Sequence, residues 1–169
     1  MTYKKVSIQD YDMQPFKDIG KDWLLISAKK EGVVNTMTAS WGGVGVLWNK
    51  NVATIYIRPQ RYTKEFVDNS DFFTLTFFDK YKPELGVLGK KSGRDGDKIK
   101  EVNFTITEVD DQPTFTQGKM VMVCKKIYAD TIKPECFIDE NIDSLMYPNN
   151  DHHTMYIGEV MSIYVNEKE

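Results

Sequence analysis

Short runs of β-branched and aromatic residues, separated by turn residues and only brief helical stretches, are what most constrain this chain. Residues 23–28 are a compact apolar run, and residues 33–40 follow after Lys29-Lys30-Glu31-Gly32, a spacing that predicts a hairpin. Residues 52–58 alternate, with Ala53, Ile55 and Ile57 on one face and Thr54, Tyr56 and Arg58 on the other. Residues 72–78 alternate as well, Phe73, Leu75 and Phe77 against Thr74 and Thr76. Residues 104–109, 119–128 and 154–165 complete the set, and Val, Ile, Thr, Phe and Tyr dominate all of these runs, as strands prefer. Helical spacing is confined to residues 60–69, 83–89 and 97–102, the first entered after Pro59. Strands this close, with no long crossover between them, predict a mainly β fold: an antiparallel β-barrel with short helices, not βαβ units. Phe72, Phe73, Phe77 and Phe78 are expected in its core.

The 169 residues suit one domain over 1–169 with a sizeable interior. Apolar residues make up 41% and charged residues 28%, which argues against disorder. A net charge of −3 carries no basic footprint, so no nucleic-acid partner is expected, though a local cluster can hold a small anion. Residues 1–10 contain no apolar core of a signal peptide, and no apolar run nears the roughly 18 residues of a membrane span. A cytoplasmic protein without a membrane partner is the expectation. Cys124 and Cys136 form no C-x-x-C pair and have no companions at zinc spacing, so no metal site is expected. Cys124 lies in Met120-Val121-Met122-Val123-Cys124 and reads as a buried, reduced thiol; Cys136 reads as a loop residue.

Two segments carry candidate chemistry. In Asn35-Thr36-Met37-Thr38-Ala39-Ser40-Trp41-Gly42-Gly43, period two puts Thr36, Thr38 and Ser40 on one strand face. Three hydroxyls there suit the carbonyls and ring nitrogens of a flat polar ligand, beside the indole of Trp41 and two glycines that allow close approach. A polar outer face followed by a glycine turn explains the same residues. In Arg58-Pro59-Gln60-Arg61-Tyr62-Thr63, two arginines bracket the end of a strand and the start of a helix. Free N–H groups, guanidinium forks and the hydroxyls of Tyr62 and Thr63 together suit a phosphate. The two segments could hold the two ends of one mononucleotide.

Other patterns are set aside. Gly43-Val44-Gly45-Val46-Leu47-Trp48 lacks the third glycine and the βαβ setting of a dinucleotide fingerprint. His152 and His153 are adjacent and point to opposite faces if they lie on a strand. Asp139, Glu140 and Asp143 read as a solvated loop without EF-hand spacing. No nucleophile elbow or Ser-His-Asp order is present.

The residues from Asn35 to Gly43, then Trp48, then Arg58-Pro59-Gln60-Arg61-Tyr62-Thr63-Lys64-Glu65-Phe66, resemble the flavin reductase-like family with an FMN-binding split barrel, on its flavoredoxin-like branch. Ser92-Gly93-Arg94-Asp95-Gly96-Asp97-Lys98 and His153-Thr154-Met155-Tyr156-Ile157-Gly158 extend the resemblance over residues 23–165. It implies a homodimer with FMN as cofactor near the dimer interface. It implies Met37, Thr38, Ala39, Ser40 and Trp41 along the ring and ribityl chain, with backbone N–H groups contributing. Arg58, Gln60, Arg61, Tyr62 and Thr63 would gather round the phosphate, and Lys90, Lys91, Ser92 and Arg94 would lie toward the cofactor mouth. His153 would stand near the flavin as the one candidate catalytic side chain, and His152 would be a surface residue. Flavin hydride transfer needs no protein acid or base, so a triad is not expected. Three activities stay open: an NAD(P)H-dependent flavin oxidoreductase, an electron carrier that exchanges with a separate redox protein, and a ligand-binding split barrel without redox function.

Overall fold

Ten strands, four α-helices, one π-helical turn and one 3-10 turn are assigned among residues 2–167, the residues that the computed structural model describes. The strands are β1 (Thr2–Val6), β2 (Leu24–Lys30), β3 (Val33–Ala39), β4 (Gly42–Leu47), β5 (Lys50–Ile57), β6 (Phe72–Phe77), β7 (Ile106–Val109), β8 (Gln112–Phe115), β9 (Met120–Thr131) and β10 (Thr154–Glu167). The helices are α1 (Tyr62–Asp68), α2 (Lys82–Lys90), α3 (Lys98–Glu101) and α4 (Glu140–Met146). The π-helical turn is Phe16–Lys21 and the 3-10 turn is Pro134–Cys136.

The main sheet is antiparallel, in the order β3-β2-β6-β9-β10-β5-β4, and β1 joins the far end of β10. One apolar cluster draws Leu24 and Ile26 from β2, Met37 and Ala39 from β3, Ile55 and Ile57 from β5, Phe73 and Phe77 from β6, and Tyr156 from β10. Strands from both halves of the sheet share one interior, so the sheet is curled around it. Phe66 and Val67 of α1 plug one end of that interior. The alternation read in residues 72–78 holds: Phe73, Leu75 and Phe77 point inward. On the outer face Thr74 donates to Pro113 O at 2.6 Å and Thr76 pairs with Thr114 at 2.8 Å, so the β7–β8 hairpin satisfies the hydroxyls. A second cluster, with Leu25, Leu85, Leu88, Ile99 and Phe104, seats α2 and α3 on the outside of β2.

The β2–β3 hairpin turns at Glu31-Gly32, both with positive φ (51° and 77°), the backbone that a two-residue turn between twisted strands requires. The β4–β5 hairpin does the same at Trp48-Asn49 (φ 54° and 57°). β4 corrects the reading of Gly42-Gly43 as a turn. It is a strand paired with β5 alone, with most of its side chains exposed, so neither alternation nor burial marks it. Gly42 is required there: its φ is +155° and a Cβ would lie 2.8 Å from Thr54 O. Asp139, Glu140 and Asp143 are likewise not a loop. Asp139 caps α4 by accepting from the Asn141 amide, and the other two lie in its first turn. Cys124 is buried, and Cys136 is exposed in the 3-10 turn.

Candidate functional site

The two ends of the sheet order, β3 and β4, are chain neighbours joined only by Ser40 and Trp41. β3 is bonded to β2 alone, so the N–H and C=O groups along its other edge have no ladder partner. A 250 Å³ cavity opens at this seam, walled by Met37, Thr38, Ala39, Ser40, Trp41, Tyr56, Arg58, Arg61, Gly89 and His153. Thr36 does not face it. Its side chain is fully buried, donating to Ile26 O at 3.0 Å and meeting Ser27 Oγ at 2.8 Å. The Thr38 hydroxyl is also engaged, donating to Leu85 O at 2.5 Å. The expectation of three hydroxyls presented to a ligand is therefore corrected: Thr36 and Thr38 share the outer face of the β2–β3 pair, where Ser27 engages the first and α2 the second.

At the end of β5 the chain makes a turn closed by Arg61 N–H to Arg58 O at 3.1 Å, with Pro59 at its second position. Pro59 thus belongs to this turn, and α1 begins at Tyr62. The turn separates the two arginines. Arg58 lines only the seam cavity, where it pairs with Asp151 at 2.6 Å, donates to Met146 O at 2.9 Å and stacks over Tyr147. Gln60 also donates to Asp151, at 2.8 Å. Arg61 lines the seam cavity and a second cavity of 140 Å³, and donates to Gly89 O at 2.7 Å.

The second cavity shares Met37 and Arg61 with the first and adds Asn35, Gln60, Tyr62, Thr63, Lys90, Lys91, Ser92, Gly93 and Lys98. Four cations and no carboxylate stand around it. Its floor is tight: Asn35 Nδ2 donates to Thr63 Oγ1 at 3.0 Å, and a Cβ on Gly93 would fall 2.4 Å from Asn35 Oδ1. Arg94 is not in this wall. It pairs with Glu65 and lies over the Tyr62 ring. Burial lowers the affinity of the Arg61 guanidinium for its proton. An anion in this cavity would offset that cost.

His153 is 7% exposed, with its ring 5.3 Å from that of Trp41 and its Nδ1 2.8 Å from the Tyr147 hydroxyl. Burial first and the Arg58 charge second bring its pKa down to about 4, so it is neutral at ordinary pH. His152 is not a surface residue. It is equally buried, stacked on Tyr147 at 4.4 Å, with Nε2 2.6 Å from Asp143 Oδ1. The two histidines precede β10 and clasp Tyr147 between them, which is why strand alternation misplaced them.

Of the residues named from the sequence for the site, Met37 to Trp41, Arg58, Gln60 to Thr63, Lys90 to Ser92 and His153 line one of the two cavities, and Thr36 and Arg94 do not. Tyr56, Gly89 and Lys98 line them too and were missed, as were Tyr147 and Asp151 behind them. Tyr56 had a signal, since it shares the polar face of β5 with Arg58. Beyond Trp41 a larger apolar cavity of 870 Å³ continues, bounded by the π-helical turn, Tyr56, Phe137 and α4, with no charged residue in its wall.

No protein-family model matches the chain, and no curated protein matches it. Solved structures do. The FMN-binding domain of a flavin reductase-like enzyme from Shewanella baltica OS155 superposes with a TM-score of 0.68 at 19% identity, over 98% of this chain and 78% of that one. Flavoredoxin of Desulfovibrio vulgaris (Miyazaki F) gives 0.65 at 21% identity, over 86% and 69%. The styrene monooxygenase flavin reductase from Pseudomonas putida S12 gives 0.63 at 16%, over 86% and 80%. The fold is the flavin reductase-like split barrel. Both cavities draw residues from β3, the first of them reaching its join with β4 at Ser40 and Trp41.

Proposed function

We propose that the split barrel binds FMN along the seam and serves as a cytoplasmic, homodimeric, NAD(P)H-dependent flavin oxidoreductase. The observation that carries this reading is the join at Met37 and Arg61 between an aromatic-rimmed cavity and a smaller one whose charged lining residues are all basic. A flat ring system bearing a phosphate at the end of a short chain has that distribution of charge. The basic lining and the absence of any acid from the wall of the smaller cavity fit a phosphate monoester. Arg61, Tyr62, Thr63, Ser92 and Lys98 would hold it, with Lys90 and Lys91 at the mouth.

Bound FMN would supply two-electron transfer at its ring. The protein's part is placement and electrostatics. Met37, Ala39 and the unpaired edge of β3 would lie along the ring and ribityl chain. Trp41, half-exposed, and neutral His153 keep the seam cavity flat and free of acidic protons, while Arg58 and Arg61 hold positive charge beside it. Asp151 fixes Arg58 and Gln60 and leaves Arg61 to the phosphate.

One observation favours a second reading, an electron carrier of the flavoredoxin kind: the 870 Å³ cavity has no charged residue to meet a dinucleotide's phosphates. Anaerobic mixing of the FMN-loaded protein with NADH and with NADPH separates the two. Rapid bleaching of the flavin supports the reductase. No bleaching, with chemical reduction intact, assigns the carrier. Protein that takes up no FMN on titration overturns both.

A further inference from the structure

Lys98 has no place in the sequence-level site and no ion pair among the described residues. It is 5% exposed. Its Nζ donates to Leu88 O at 2.8 Å and to Lys91 O at 3.0 Å, at the end of α2 and just beyond it. An ammonium has three donors, so one is left without a protein acceptor among the described residues. The side chain borders the 140 Å³ cavity. Beside it, Arg61 donates to Gly89 O at 2.7 Å, between the two carbonyls that Lys98 holds. Two basic groups are thus packed against one carbonyl run and one small cavity, with no acid in that cavity's wall.

We propose that the cationic cavity is proton-linked: Lys98 takes up a proton as a phosphate dianion enters, and the ammonium then formed fixes the wall between Leu88 and Lys91. This rests on reading that cavity as the phosphate end of the flavin groove. The surroundings support it from every side. From the turn before α1 the nearest charge is Arg61, which opposes a second positive charge. From the chain after α2 come Lys90 and Lys91. Lys91 is itself neutralised by Glu101 of α3. On its own element Asp97 is used in capping, accepting from the Lys100 amide at 3.0 Å. Asp95 lies with Asp97 and Glu101 in the wall of a neighbouring cavity that Lys98, Lys91 and Ser92 also line. Burial, with Arg61 second, lowers Lys98 to about 8. An ordinary lysine, near about 10.4, is already charged at pH 9 and has nothing to gain.

Calorimetric titration at pH 9, in two buffers of different ionisation enthalpy, reads the proton directly. Three probes are compared: FMN, riboflavin and inorganic phosphate, whose phosphates are dianionic there. Expected is uptake approaching one proton per FMN or per phosphate bound, and none with riboflavin. Lys98→Arg keeps charge and donors but cannot titrate; it should bind FMN without proton uptake. Lys98→Met should weaken FMN at least tenfold and leave riboflavin within twofold. Binding of FMN with no proton uptake, or uptake that persists in Lys98→Arg, overturns the inference while leaving the flavin reading intact. Proton-linked binding of phosphate with no binding of FMN or riboflavin keeps the inference and removes the flavin reading.

Discussion

His153 is held neutral by the residues that make it useful. In an unfolded chain a histidine titrates near about 6.5; burial and Arg58 bring this one to about 4. Between those values the unfolded chain binds the extra proton and the native protein does not. The stability His153 contributes is therefore complete above the unfolded value and is lost as pH falls through the window. Urea melts from about pH 7 to about pH 4 should show a loss of stability that is smaller by roughly 2–3 kcal/mol in His153→Gln. Carboxylates titrate in both proteins and cancel in the difference. Parallel profiles for the two proteins would show that His153 does not titrate as its surroundings dictate. At this scale the sequence disclosed whichever site residues are contiguous. Arg58 and Arg61 are legible because one turn carries both. Asp151 and Lys98 are not, because only the folded sheet brings the first to Arg58 and only the packing of α2 on α3 buries the second.

Among the elements, β10 is the one on which most others depend. It pairs with β9, with β5 and with β1, and its register against β9 shifts between Ile157 and Gly158. At Gly158 a Cβ would lie 2.6 Å from Phe73 Cζ and 2.8 Å from Cys124 Cβ, both fully buried. Neither neighbour has room to withdraw. Gly158→Ala is expected to lower stability by about 1–3 kcal/mol, the range for overpacking a filled core, with a matching fall in Tm by calorimetry. A Tm unchanged within error would mean that the strand shifts freely at its bulge. Several elements with a buried face were legible, β5 and β6 from their alternation and α1 from its apolar spacing, but β8, short and broken by Pro113, was not. β1 and β4 were not, since both are largely exposed at the sheet's periphery and carry no face pattern. α4 escaped because its acidic first turn resembles a solvated loop and its apolar side chains remain exposed.

For the whole molecule, the β4–β5 hairpin is a place where exposed apolar side chains meet a free sheet edge. Val46 is 74% and Trp48 57% exposed at the β4–β5 hairpin, next to an edge strand with no partner on its outer side. Patches of this kind mark association sites. Sedimentation is expected to give twice the chain mass, and Val46→Glu with Trp48→Glu to shift it toward the monomer. Monomer at all concentrations, in the unaltered protein with FMN bound, would remove the proposed homodimer.

The link of Ser40 and Trp41 has a mechanical consequence. β3 is laddered to β2 over its full length and β4 to β5 over its own, so neither edge can swing away independently. A two-residue tether holds the end of β3 to the start of β4. Whatever enters the cavity beside that link meets two strand ends whose spacing the backbone already sets. Give on loading is then expected in the parts that border the cavities without a strand ladder, the residues after α2 and the π-helical turn.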